Sequence, residues 1–219
     1  LTFAFGLCSF VNAQSTLYSE DFTGQDGKGK IGTAPVDTSG VNWTLDVSNG
    51  TYPANSNYMA VGENTSGVFS VSNNKAQNAD LDSWTSPSFS INGFNTLEFS
   101  FDAYADGDFE DVTDQFNVVF LIDSVEQTLL DSTVDGSKKM TLGSTDISGT
   151  TLKSLTEPIA GTGTNGQIRI DLGNNAATET YAFDNLSVSG TAVPEPGHYA
   201  ALLGLFSLGF IYWQRRRVH

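Results

Sequence analysis

Carboxylates are the residues with which this chain could do chemistry. Asp102, Asp106, Asp108, Glu110, Asp111 and Asp114 crowd a short stretch around Gly107. Like charges this dense repel unless solvent spreads them or a cation joins them. Calcium takes about 6–8 oxygens from carboxylates and carbonyls in a flexible arrangement. Asp106, Asp108, Glu110 and Asp111 are therefore candidate ligands of a structural Ca2+, with a solvated acidic loop as the alternative. The stretch is not an EF-hand loop, because the later ligand positions and the flanking helices are missing. Glu20 or Asp21 with Asp184 make a second candidate metal set. If the terminal strands are neighbours, one ion would turn their repulsion into a clamp; the alternative is edge charges with no ion. A carboxylate pair about 5–10 Å apart can also hydrolyse glycosides. No acid here is marked for a raised pKa, so no catalytic residue is assigned and the expectation is a non-enzyme.

Other chemistries are excluded by residue type. The two histidines are His198 and His219, and the single cysteine is Cys8. Residues 14–192 hold neither, which removes Ser-His-Asp and Cys-His nucleophiles and histidine-type zinc or iron sites. Gly161-Thr162-Gly163 has no following helix and reads as a loop, not a phosphate cradle. Aromatic residues remain as a sugar-stacking platform. Tyr52 and Tyr58 rim a polar loop, and Trp84 and Trp43 are further candidates; each also reads as a core or edge residue. Trp43 is expected to point inward beside Leu45.

The elements that must position these groups read as strands. Apolar and polar residues alternate over 97–104, 167–172 and 181–188, as half-buried strands require. Residues 116–122 are more continuously apolar and predict a central strand. Weaker strands are expected near 17–22, 42–47, 58–61, 68–71, 88–91 and 126–130. Asn49-Gly50, Asn92-Gly93, Asp106-Gly107, Asp135-Gly136 and Asn165-Gly166 are turn signals between them. No stretch of 14–192 has helical periodicity, and 132–166 predicts long loops with one or two weak strands. The fold class is all-β, a two-sheet antiparallel sandwich over 14–191. About 180 residues suffice for one domain with a sizeable core. The chain carries 25 acids against 10 bases, a formal net charge of −15. That surface repels nucleic acid, suits an extracellular protein and attracts divalent cations.

The two ends say where the protein goes. Residues 1–13 read as the apolar part of a secretory signal peptide, truncated at its start, with Val11-x-Ala13 as the cleavage site. At the other end, Pro194 and Pro196 delay helix formation. An apolar run over 200–213 then predicts a single, short transmembrane helix. Arg215, Arg216 and Arg217 follow and favour the cytoplasmic side. Pro194-Glu195-Pro196, apolar helix and arginine cluster, in that order over 192–219, resemble the PEP-CTERM sorting signal of Gram-negative bacteria. The resemblance implies an exosortase-type sorting enzyme as partner and transient residence in the inner membrane. It also implies release or transfer to the cell surface, and an association with exopolysaccharide and biofilm.

The ends of the domain carry a second resemblance. Tyr18-Ser19-Glu20-Asp21-Phe22 and Ala182-Phe183-Asp184-Asn185-Leu186-Ser187-Val188 are similar to the bracketing strands of jelly-roll, carbohydrate-binding-module-like sandwiches. That resemblance implies pairing of the first and last strands, often with calcium tied between them. The function expected is a structural or adhesive exported surface protein. A carbohydrate-binding module acting on polysaccharide is the alternative, and a glycan-active hydrolase the third reading.

Overall fold

The computed structural model describes residues 14–77, 80–110 and 113–193, and in the tail 203–204, 206–210 and 213–214. In chain order the first eight strands are β1 Gln14–Glu20, β2 Gly29–Ile31, β3 Thr44–Asp46, β4 Tyr58–Val61, β5 Phe69–Ser72, β6 Asp82–Thr85, β7 Phe89–Ser90 and β8 Phe94–Asp106. The next eight are β9 Gln115–Ile122, β10 Val125–Leu130, β11 Ser132–Val134, β12 Met140–Leu142, β13 Thr145–Asp146, β14 Lys153–Ile159, β15 Asn165–Gly173 and β16 Thr180–Ala192.

The strands make two main antiparallel sheets. Sheet A runs β14-β8-β16-β5-β4-β2, and sheet B runs β10-β9-β15-β6-β3. Each is built around a long strand whose one edge is shared by two short ones. In sheet A, β16 takes β5 along its first half and β1 along its second. In sheet B, β15 takes β7 and then β6 in the same manner. A small sheet, β11-β12-β13, adds the buried Met140 and Leu142 to the core.

Alternation explains which faces meet. Leu97, Phe99, Phe101, Ala103 and Ala105 of β8 face inward, opposite Phe116, Val118 and Phe120 of β9 and Ile168, Ile170 and Leu172 of β15. Aromatic rings fill the centre. Phe22 lies 5.5–6.3 Å from the rings of Trp43, Phe69, Trp84 and Phe183.

β16 departs from simple alternation. Its inward residues are Tyr181 and Phe183, then Leu186 and Val188. The parity changes because one extra residue sits between the Asp184–Asp102 and Ser187–Ser100 pairs, with Asn185 at φ 53°. This is a β-bulge, and asparagine is among the residues that tolerate the left-handed region.

The long loops with one or two weak strands expected over 132–166 are corrected to four strands, β11 to β14, before β15 begins. β14 is the longest and forms the edge of sheet A with only Leu155 and Ile159 buried. Pro158 in this segment argues against a strand. At a sheet edge its missing N–H costs no ladder bond.

Among the described residues no helix is long and apolar enough to cross a membrane. Helical fragments at 203–204, 206–210 and 213–214 expose Leu203, Phe206, Leu208, Phe210 and Trp213. Pro194, Glu195, Pro196, Arg215, Arg216 and Arg217 lie outside the described residues, as does the whole of the expected signal peptide's 1–13 segment.

Candidate metal centre

The acidic stretch folds back on itself where β8 ends. Gly107 has φ +142°, and a Cβ there would lie 2.9 Å from the Glu179 Cα and from the Thr178 carbonyl oxygen. Glycine therefore lets the loop lie directly against the segment before β16. Phe109 anchors it, buried and stacked on Tyr181 at 5.2 Å. Beyond Phe109, the Asp114 N–H donates to the Glu110 carbonyl at 3.0 Å. The Glu110 N–H donates to Asp114 Oδ2 at 2.6 Å.

This arrangement brings three carboxylates together. Oxygens of Glu110, Asp114 and Glu179 all lie within 4.8 Å of one another. Asp114 and Glu179 are each 1 % exposed, while Glu110 faces solvent. The Asn175 N–H donates to Asp114 Oδ1 at 3.2 Å, and the Ala176 N–H to Glu179 Oε2 at 3.0 Å. Burial, and then the charges of Glu179 and Glu110, push Asp114 up to about 7. Burial raises Glu179 as well. Lys138 Nζ stands 3.4 Å from Glu110 Oε1 on the exposed side. Lys138 and the backbone donors compensate part of this charge, and a shared proton or a bound cation would compensate the rest, since deep burial penalises uncompensated charge. The donor set is all oxygen, which suits calcium or magnesium over softer metals.

Of the predicted ligands only Glu110 belongs to this trio. Asp106 and Asp108 are exposed, and Asp111 lies outside the described residues. Asp114 stands in the acidic stretch that the sequence singles out. Glu179 escapes sequence reasoning, because only the pairing of Thr180 with Asp106 reveals that it adjoins the loop.

Glu20, Asp21 and Asp184 meet elsewhere, at the β16 bulge. β1 pairs with β16, with Glu20 opposite Leu186. Asp184 sits directly across from Asp102, an unfavourable like-charge pair. Burial, and then the charges of Asp21, Asp102 and Glu20, push Asp184 up to about 6. Local donors quench the rest: Asn185 Nδ2 donates to Asp102 at 2.8 Å, and the Phe22 N–H and Gln25 donate to Glu20. A shallow groove of about 290 Å³ opens over Ser19, Glu20, Asp21 and Asn185. Among the described residues only the Glu110 trio has three carboxylates within 4.8 Å.

Burial removes Tyr52 and Trp84 as stacking candidates, and Trp43 points inward as expected. Trp84 and Trp43 are core residues at 0 and 1 % exposure, and Tyr52 is buried with its hydroxyl 2.5 Å from Asp82. A ring enclosed on both faces offers no stacking surface. Tyr58 is half-buried on the outer face of sheet A.

No family model matches the chain, and neither does any curated protein. Solved structures give distant likenesses. One is the K3 cleaved adhesin domain of Lys-gingipain from Porphyromonas gingivalis w83, at 14 % identity over 81 % of this chain and 99 % of that one, TM-score 0.45. Another is a family 29 carbohydrate-binding module, at 9 % identity over 85 % of this chain and 97 % of that one, TM-score 0.37. A third is a family 29 module complexed with mannohexaose, at 10 % identity over 81 % and 91 %, TM-score 0.36. At such identities and TM-scores these likenesses carry no argument about function, which must come from the site itself.

Proposed function

We propose that this chain is an exported, non-enzymatic surface β-sandwich. Its tail is a PEP-CTERM signal handled by an exosortase-type enzyme, and its role in a polysaccharide-rich matrix is structural or adhesive. Calcium braces the domain at Glu110, Asp114 and Glu179. The observation that carries this reading is that trio: two carboxylates buried to 1 % exposure and a third beside them. Ionised and unpaired, it opposes folding; joined by a divalent cation, it ties the β8–β9 loop to the start of β16. The test is thermal unfolding of the full-length chain in detergent, first in EDTA and then with calcium. Calcium at a hundred times its Kd should add about 2.7 kcal/mol, and Asp114→Asn should abolish the response. A melting temperature indifferent to calcium overturns the brace.

A second reading, polysaccharide binding, is favoured by the outer face of sheet B. Register places Thr44, Thr85, Arg169, Val119 and Thr128 in one row across five strands. Asp46, Ser83, Asp171 and Asn117 form the next row. Arg169 is held by Asp171 at 2.8 Å and by Glu126, so the array is fixed before any ligand arrives. Hydroxyl, amide, carboxylate and guanidinium groups on a flat sheet offer the donors and acceptors that sugar hydroxyls need.

A further inference from the structure

On one side of the sandwich, edge strand β10 of sheet B approaches edge strand β14 of sheet A. A cleft of about 380 Å³ opens there, near the lower end of the range for small-ligand sites, about 300–1,000 Å³. Ile122, Val125 and Ala160 give it apolar walls, and Asp123 and Glu126 stand among its lining residues.

The cleft is built in advance. Both Asp123 and Ser124 have positive φ, which makes the β9–β10 hairpin turn tight. Asp123 accepts from the Thr164 and Asn165 N–H groups at 2.9–3.2 Å and so fixes the opposite loop. A Cβ on Gly163 would stand 2.3 Å from Ile122 Cγ2, so glycine there lets the loop hug the wall.

One lining residue is unexplained by the fold. Gln127 pairs with Phe120, a fully buried residue. Its amide Nε2 is shut off from solvent and finds no hydrogen-bond partner among the described residues. A buried amide without a partner is destabilising, and of the four unpartnered buried groups among the described residues, those of Tyr18, Asn73, Trp84 and Gln127, only that of Gln127 lines this cleft. Gln127 lines the cleft, and its flexible side chain lets the amide turn toward an acceptor there.

We propose that this cleft is a saccharide subsite, distinct from the outer face of sheet B. It takes a neutral sugar ring whose oxygen accepts from Gln127, whose C–H face rests on Ile122, Val125 and Ala160, and whose hydroxyls donate to Asp123, since Glu126 is held by Arg169 on the outer face. Two carboxylates in the lining, and a net charge of −15, exclude a polyanion. The inference rests on the polysaccharide-binding reading above.

The experiment is affinity electrophoresis of the full-length chain in detergent. Gels contain dextran, mannan or xyloglucan, with alginate as the anionic counter-probe. The wild-type chain should be retarded by at least one neutral polymer. Gln127→Met should weaken that retardation about tenfold while leaving the melting temperature equal or higher, because it removes an unpaired polar group. Ala160→Trp, which fills the cleft from an exposed wall, should abolish it. Unchanged retardation in both variants overturns the cleft and leaves the polysaccharide reading intact. Retardation by alginate alone overturns the neutral-sugar assignment. A wild-type chain retarded by no polymer overturns the polysaccharide reading and the cleft with it.

Discussion

Asp184 shows how one residue couples this fold to pH. Burial and the neighbouring carboxylates hold it at about 6 in the folded chain, against about 3.9 for an ordinary aspartate. The folded state therefore binds its proton more tightly than the unfolded state does. Its contribution to stability is complete below pH about 4 and is lost as pH rises through about 6. Asp114, held at about 7, acts in the same direction over a wider window. In EDTA the melting temperature should fall between pH about 4 and about 6, and Asp184→Asn should reduce that fall. A series of melts across this range checks it, and a variant with the wild-type slope would remove Asp184 from the account. Phe22 is the other residue that local preference does not explain. It has φ 51°, in the left-handed region, yet is fully buried among four aromatic rings. Burying so large a side chain offsets the backbone strain.

The element that makes the trio is the loop between β8 and β9, and Gly107 is its hinge. A side chain there meets the Glu179 backbone at 2.9 Å, and φ +142° is a region that only glycine adopts readily. Gly107→Ala should cost about 1–3 kcal/mol. It should also shrink the calcium-induced shift in melting temperature, because the loop must lift away from Glu179. A variant that loses stability but keeps the full calcium shift would separate the loop from the cation. Half of this element was legible beforehand: the density of acids in 102–114 marked it, and Glu110 and Asp114 stand within it. Glu179 was not legible, because its place depends on β8–β16 register, a long-range pairing without local trace. The same division holds for the fold. β8, β9 and β15 declare themselves by alternation or apolar continuity. β14 hides because an edge strand buries one face sparsely and tolerates Pro158. The β16 bulge shows in the sequence only as the step from Phe183 to Leu186, where the apolar parity changes. Trp84 and Tyr52 point inward although the sequence offers them as candidate platforms, because aromatic residues near polar loops read alike whether the ring turns inward or outward; Trp43 points inward as its strand position implies.

At the scale of the whole molecule, the pairing of β1 with β16 decides how the domain is presented. Gln14 lies opposite Thr191, and the Val193 N–H donates to the Gly93 carbonyl at 2.8 Å. Both ends of the sandwich therefore leave from one end, near the turn at Asn92. The Glu110 trio lies at the other end, beyond the Asp106–Thr180 pair. β16 has 13 residues, and at about 3.3 Å each they span roughly 40 Å. A membrane anchor following Val193 would hold the Asn92 turn near the bilayer and project the acidic end outward. Residues 14–193 contain no cysteine, so single cysteines can report this. Ser137 lies in the exposed hairpin whose neighbour Lys138 reaches Glu110. In membranes of cells carrying alanines in place of Pro194, Glu195 and Pro196, the protein should stay in the inner membrane. There, Ser137→Cys should react with a bulky maleimide polymer several-fold faster than Asn92→Cys. In material released by the wild-type tail the two rates should converge, because both sites are exposed turns. Equal rates in the retained form would mean the domain does not stand on its terminal end. Normal release of the alanine variant would remove the tail from the sorting account while leaving the sandwich and its candidate cation site to be judged on calcium alone.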